Sequence, residues 1–180
     1  MLVAPAERPA IAAVAVWCED GATLRVDPFI AAHRSLRAAT KRPLMPVALD
    51  RTKTNPWKLQ TAPGTSEFTM HVDEKDGKQI LVCTVGSTVL HYDARCIDDL
   101  HAMLKAAGDW VELGGADEQK PAKEGTVEGW GRSPSNPVGG WYGLKKGFRG
   151  RFGVYVPPLM EALGLCELEH NPKNNRMRAK

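Results

Sequence analysis

His91, Cys96 and His101 recur at intervals of five, and their side chains are donors of the kind that zinc takes. A closed site needs four ligands, and positions five apart on a helix point about 140° apart, so Cys96 and His101 do not readily share an ion. Cys96 therefore reads as a helix-buried thiol and His101 as a rim residue, and no metal or other cofactor is expected. Ser87, His91 and Asp93 form a second constellation. A nucleophile needs a base within hydrogen-bond reach, itself oriented by a third group. Ser87 and His91 lie four apart, on one face of a strand but too distant along it to touch, so Gly86-Ser87 is better read as a bulge or turn. Adjacent Asp98 and Asp99 favour the positive end of a helix, and Glu67 with Asp73 or Glu74 is a further carboxylate pair. No nucleophile elbow, phosphate-binding Lys-Ser/Thr loop or dinucleotide fingerprint occurs. No catalytic residue is nominated; a pocket holding His71 or His91 beside a carboxylate would revive an enzyme of unassigned chemistry.

The stretch WYGLKKGFRGRFGVY from Trp141 admits two readings. On a helix, Trp141, Leu144, Phe148, Phe152 and Tyr155 fall within an arc of about 80°, the pattern of a core-facing stripe. Gly143, Gly147, Gly150 and Gly153 fall opposite, each costing about 1 kcal/mol relative to Ala. One unbroken helix is therefore disfavoured unless the glycine face lies against another backbone. The expectation is a short helix from Val138 to Lys146, a turn at Gly147 to Gly150, a second segment from Arg151, and a helix started or restarted at Pro157-Pro158 that ends at Gly164. Cys166 to Glu169 and Arg176 to Ala179 flank HNPKNN as a terminal hairpin. This succession resembles, in outline, a winged helix-turn-helix tail, for which duplex DNA is the expected partner.

On that outline Lys145, Lys146, Arg149 and Arg151 supply phosphate neutralisation, and Lys173, Arg176 and Arg178 add to it from the hairpin. Trp141, Tyr142 or Phe148 would stack on bases if exposed, whereas their spacing favours the core. The leading expectation is a non-enzymatic binding protein that contacts the phosphate backbone of DNA or RNA through these seven basic residues.

Elements that hold such a region follow from local pattern. Trp57 to Leu59 is a short strand and Pro63-Gly64 a turn. Phe68, Met70 and Val72 alternate with Thr69 and His71, the period of a half-buried strand. Asp76-Gly77 then joins that run to Gln79 to Thr84 as a hairpin; Val85 to Tyr92 either continues it past a bulge or forms a third strand. Asp93 caps a helix to about Ala107 with Ile97, Leu100, Leu104 and Ala107 on one face and Gly108 as its stop. Trp110, Val111 and Leu113 make a short strand. The fold class is α+β: a small antiparallel sheet, with residues 45–115, covered by the helix after Asp93; a linker or long loop over 116–136; and a basic helical and hairpin region over 137–180.

Composition sets the frame. The chain has 180 residues, 43% of them hydrophobic, enough to bury a core. Its net charge of +3 conceals an asymmetry: +3 over residues 1–53, −6 over 54–129 and +6 over 130–180. A basic end beside an acidic middle suits an anionic partner or self-association into a homo-oligomer. The four cysteines show no CxxC pair and read as reduced. The apolar run Ala10 to Trp17 is too short to span a bilayer and has no cationic flank, so a cytoplasmic protein without membrane contact is expected. Residues 1–44 are Ala-rich, with a hairpin pattern (AVAVW, CEDG, ATLRV) and a helix pattern from Pro28 to Ala39, and read either as a peripheral hairpin and helix or as an extension upstream of a start at Met45.

From Asn55-Pro56-Trp57-Lys58 through GTSEFTMH, LVCTVGSTVLHYD, DLHAMLK, NPVGGWYGLKKG, RGRFGVYVPPLMEALGL and EHNPKNNRMRA, the chain resembles a bacterial family known only as a domain of unknown function. The resemblance runs roughly over residues 45–180. It implies no activity, cofactor or catalytic residue.

Overall fold

Asp76 and Gly77, at φ 53° and 72°, close a two-residue hairpin in which Lys75 pairs with Lys78, the positive-φ turn that matches strand twist. This and every other pairing described below comes from a computed structural model that describes residues 48–116, 120–143 and 151–180. The hairpin joins β2 (Glu67–Lys75) to β3 (Lys78–Val85). A second two-residue turn, with Gly86 at φ 55°, pairs Val85 with Thr88 and begins β4 (Thr88–Asp93); a separate strand, not a bulge, follows Gly86-Ser87. With β1 (Trp57–Gln60) on the other side, the four strands form an antiparallel sheet in the order β1-β2-β3-β4. Met70, Leu81, Cys83, Leu90 and Tyr92 belong to one buried cluster.

Helix α1 (Cys96–Ala107) begins after Asp93, whose Oδ1 accepts the Arg95 N–H at 3.0 Å. It ends at Gly108, in left-handed backbone at φ 68° with its N–H on the Leu104 carbonyl, as a C-terminal glycine should. Ile97, Leu100 and Leu104 are buried, but Ala107 is exposed. His101, expected at the rim, is buried, because it lies four residues after Ile97 and three before Leu104, on the covered side of the helix. Contacts of α1 run chiefly to β7 (Arg176–Ala179). The helix whose rings lie over the four-stranded sheet is the C-terminal one, α3 (Phe152–Ala162). Its Tyr155 meets Phe68 edge-on at 5.0 Å and its Phe152 meets Tyr92 at 6.0 Å.

Of residues 116–136, expected to form a linker or long loop, the described stretch 120–136 contributes to the core. It holds a one-turn helix, α2 (Val127–Trp130), capped by Thr126, whose hydroxyl accepts the Gly129 N–H at 3.0 Å and donates to the Lys123 carbonyl at 2.7 Å. Val127 and Glu128 are fully buried. The Glu128 carboxylate accepts the Gly153 N–H at the start of α3 (2.7 Å) and Arg132 Nε (2.8 Å), and Arg132 also donates to the Lys120 and Ala116 carbonyls. Burial pushes the Glu128 carboxyl upward, and these donors pull it back.

The C-terminal region departs most from expectation. Residues 138–143 form turns and an extended bridge to β4, not the first part of a helix. Tyr142 O accepts the Asp93 N–H at 2.8 Å, and Gly143 pairs with Tyr92, so the backbone here is committed to the sheet edge. The two-helix outline of a winged tail is therefore not formed over 138–143. Helix α3 then runs as one piece from Phe152, with Pro157 and Pro158 inside it. Each proline removes an intrahelical N–H, while burial of Val156, Leu159 and Met160 supplies the compensating gain. Gly164, at φ 74°, closes the end. The terminal hairpin is present as β6 (Cys166–Leu168) and β7. A third strand, β5 (Val111–Glu112), pairs with the other side of β7, making a small sheet in the order β5-β7-β6. The fold is α+β. No helix among the described residues is long and apolar enough to cross a membrane. The features read in residues 1–44, Met45 and Cys18 lie outside the described residues.

Candidate anion-binding cleft

The described aromatic residues of WYGLKKGFRGRFGVY belong to the core, and Phe148 lies outside the described residues. Tyr142 and Phe152 are buried and stacked at 5.7 Å, Trp130 stacks on Tyr142 at 5.4 Å, and Trp141 meets Phe152 edge-on at 6.1 Å. The Tyr142 hydroxyl donates to Asp99 Oδ2 at 2.9 Å, beside the Arg95–Asp99 ion pair. With their faces covered, Tyr142 and Phe152 are not stacking platforms for bases. Helix α3 is likewise no recognition helix, because Phe152, Tyr155, Val156, Leu159 and Met160 are all buried.

The seven expected basic residues divide three ways. Lys145, Lys146 and Arg149 lie outside the described residues. Arg176 and Arg178 project from one face of β7 and are engaged by carboxylates across the hairpin: Arg176 grips Glu169 through Nε and a terminal nitrogen (2.6 Å), and Arg178 reaches Glu167 at 2.6 Å. Both guanidinium groups also lie over the Trp110 ring, at 5.6 and 4.8 Å. The Arg176 pair holds the Glu169 carboxyl below its ordinary range. A Glu-x-Glu opposite an Arg-x-Arg is legible in CELE and RMRA once they are read as paired strands. These two arginines, already compensated, are weak candidates for phosphate.

Arg151 and Lys173, twenty-two positions apart, line one cleft of about 460 Å³. Four segments build it: the β1–β2 connection (Thr61 to Ser66), the chain leaving β5 (Glu112 to Gly115), the start of α3, and the β6–β7 loop (Pro172 to Asn175). Each is fastened. Thr61 N–H donates to the Ser66 carbonyl at 2.9 Å, and Gly64 N–H to the Thr61 carbonyl at 2.7 Å. Asn175 closes its own loop through both ends of its amide, accepting the Asn171 N–H at 2.6 Å and donating to the Asn171 carbonyl at 2.8 Å. Its carbonyl takes the Leu113 N–H at 2.9 Å, which fixes the loop to β5. Lys173 is exposed at the tip, next to Asn174 in left-handed backbone at φ 54°. Arg151 is itself left-handed at φ 68° and donates its N–H to the Ala116 carbonyl; burial raises the pKa of Tyr155, and the Arg151 charge favours its ionised form. Among the described lining residues the one carboxylate, Glu112, is paired with Lys123 at 2.5 Å.

His170 ties the β1–β2 connection and the β6–β7 loop to the far end of α3. Its Nδ1 faces the Ala62 carbonyl at 2.9 Å and its Nε2 faces both Glu161 oxygens at 3.0 and 3.1 Å. Both partners are acceptors, so the imidazolium, a donor at both nitrogens, satisfies them; its pKa is raised, chiefly by Glu161.

Among the described residues, no group of three His, Cys, Asp or Glu could hold a metal ion. Cys96 is buried as expected, and burial pushes Cys83 and Cys166 to about 12, so these thiols are inert at neutral pH. His71 and His91 stand on either side of Val82 across β2, β3 and β4.

A family model described as a family of unknown function, DUF6855, matches residues 49–180. The chain belongs to DUF6855. No curated protein and no solved structure matches it. The DUF6855 match takes in both described sheets and all three described helices, and so the four walls of the cleft.

Proposed function

We propose that this DUF6855 protein is a non-enzymatic binding protein that contacts nucleic-acid phosphate groups through its basic C-terminal region, in the cytoplasm of a bacterium. The observation that supports this reading is the placing of Arg151 and Lys173 on the walls of one preformed cleft, at the end of the segment that carries Lys145, Lys146 and Arg149. Arg176 and Arg178 drop out of the contact, because Glu169 and Glu167 already balance them.

Fluorescence polarisation with a labelled random duplex and a labelled single strand, each titrated across salt, tests the reading. Arg151→Gly suits it because glycine adopts positive φ without strain, so loss of binding is not loss of fold. Binding is expected to weaken steeply with salt, and Arg151→Gly and Lys173→Ala are each expected to reduce the logarithmic salt slope by about 1. No binding to either probe at low salt overturns the reading. Light scattering in the same buffers separates it from self-association: a dimer that salt dissociates would point to the basic end meeting the acidic middle of a second copy.

A further inference from the structure

The cleft differs from an ordinary phosphate-backbone contact in size, in wall chemistry and in what surrounds it. A duplex backbone presents one singly charged phosphodiester after another along a continuous track, and proteins meet it with a row of cations on an open surface. Here the two cations stand on different walls of a pocket within the usual small-ligand range. The next arginines along the chain, Arg176 and Arg178, are occupied by carboxylates, so among the described residues no row of available arginines continues from Lys173 along β7. Hydroxyls of Thr65 and Ser66 and the amide of Asn174 complete the lining, and the charge of Glu112 is balanced by Lys123.

We propose that this cleft takes a phosphomonoester, the terminal phosphate of a nucleic acid or of a free nucleotide, rather than an internal phosphodiester. The inference rests on the phosphate-binding reading above and narrows it. A phosphomonoester carries between one and two negative charges at neutral pH and offers three acceptor oxygens. Two cations on separate walls match that charge, and three neutral donors match those oxygens. A guanidinium has five N–H donors, so Arg151 can meet the anion while keeping its other contacts. The loop clasp at Asn175 and the His170 contacts fix two of the walls before the ligand arrives, which reduces the ordering cost of binding.

The test compares short single-stranded oligonucleotides of one sequence, labelled internally, with a 5′-phosphate, with a 3′-phosphate or with hydroxyls at both ends. Adenosine 5′-monophosphate, adenosine and inorganic phosphate serve as competitors, and calorimetry with adenosine 5′-monophosphate alone runs in parallel. One terminal phosphate is expected to tighten binding about tenfold, the scale of charge-assisted hydrogen bonds. Adenosine 5′-monophosphate should compete where adenosine does not, and Lys173→Ala and Arg151→Gly should each abolish the preference. Equal binding of phosphorylated and hydroxyl ends overturns the inference and leaves the backbone reading standing. Failure of every oligonucleotide, with calorimetric binding of adenosine 5′-monophosphate that Lys173→Ala removes, overturns the nucleic-acid reading and sustains the phosphomonoester site. Absence of binding in all arms overturns both.

Discussion

Glu128 shows how one side chain fixes the geometry of a region. It is fully buried, yet its carboxylate serves the first turn of α3 and the Arg132 guanidinium at once. Glu128→Ala would leave the Gly153 N–H and a largely buried arginine without their partner. Removing one member of a buried pair costs about 3 kcal/mol or more, and a chemical denaturation midpoint that falls accordingly is the expected outcome; an unchanged midpoint would mean that the carboxylate is dispensable. None of this was legible in the sequence. Glu128 sits in a Gly-, Pro- and Lys-rich run whose composition indicates a loop, and its partner Gly153 is twenty-five residues away. The basic residues were legible as a set, but not their division. Glu167 and Glu169 engage Arg178 and Arg176 through strand pairing, and Arg151 and Lys173 come to line one cleft only through the assembly of four segments.

At the scale of elements, the strands around Asp76-Gly77 and the helix ending at Gly108 were readable because short-range rules decide them: side-chain alternation, a two-residue turn and a left-handed stop. Helix α3 was not readable as a single piece, because its prolines argue locally against it while its support is tertiary. Its glycine shows that support. Gly153 lies against the backbone of Leu113, where a Cβ would overlap the carbonyl oxygen. The same oxygen accepts the Glu128 N–H at 3.0 Å, so it cannot move aside without breaking α2 from its neighbour. Gly153→Ala is therefore expected to destabilise by about 2 kcal/mol despite alanine's better helix propensity, read as a lower melting temperature. A rise in melting temperature would show that propensity outweighs the close approach.

Across the whole molecule, the His170 contacts couple the β1–β2 connection, α3 and the terminal hairpin, and they respond to pH. The folded-state pKa of His170 lies above its unfolded value, so its contribution is fully present below the unfolded value of about 6.5 and is lost as pH rises through the folded value. The side chain is 57% exposed, which keeps the effect under about 1 kcal/mol. His101 has the opposite sign: burial lowers its pKa, so its contribution is present above about 6.5 and declines in acid. Thermal melts across this range should show a small loss of stability on the alkaline side that His170→Gln and Glu161→Gln both remove. Persistence of that step in the two variants would assign it to another group.

Strand β7 lies between β5 and β6 in the small sheet, although it is the last of the seven described strands. During synthesis the four strands of the larger sheet leave the ribosome together and can pair at once. Val111 and Glu112, by contrast, wait through more than sixty further residues for Met177 and Arg176. Lys173, one wall of the cleft, is carried in with that late strand. The cleft therefore takes its final form only once the last described strand has joined the small sheet.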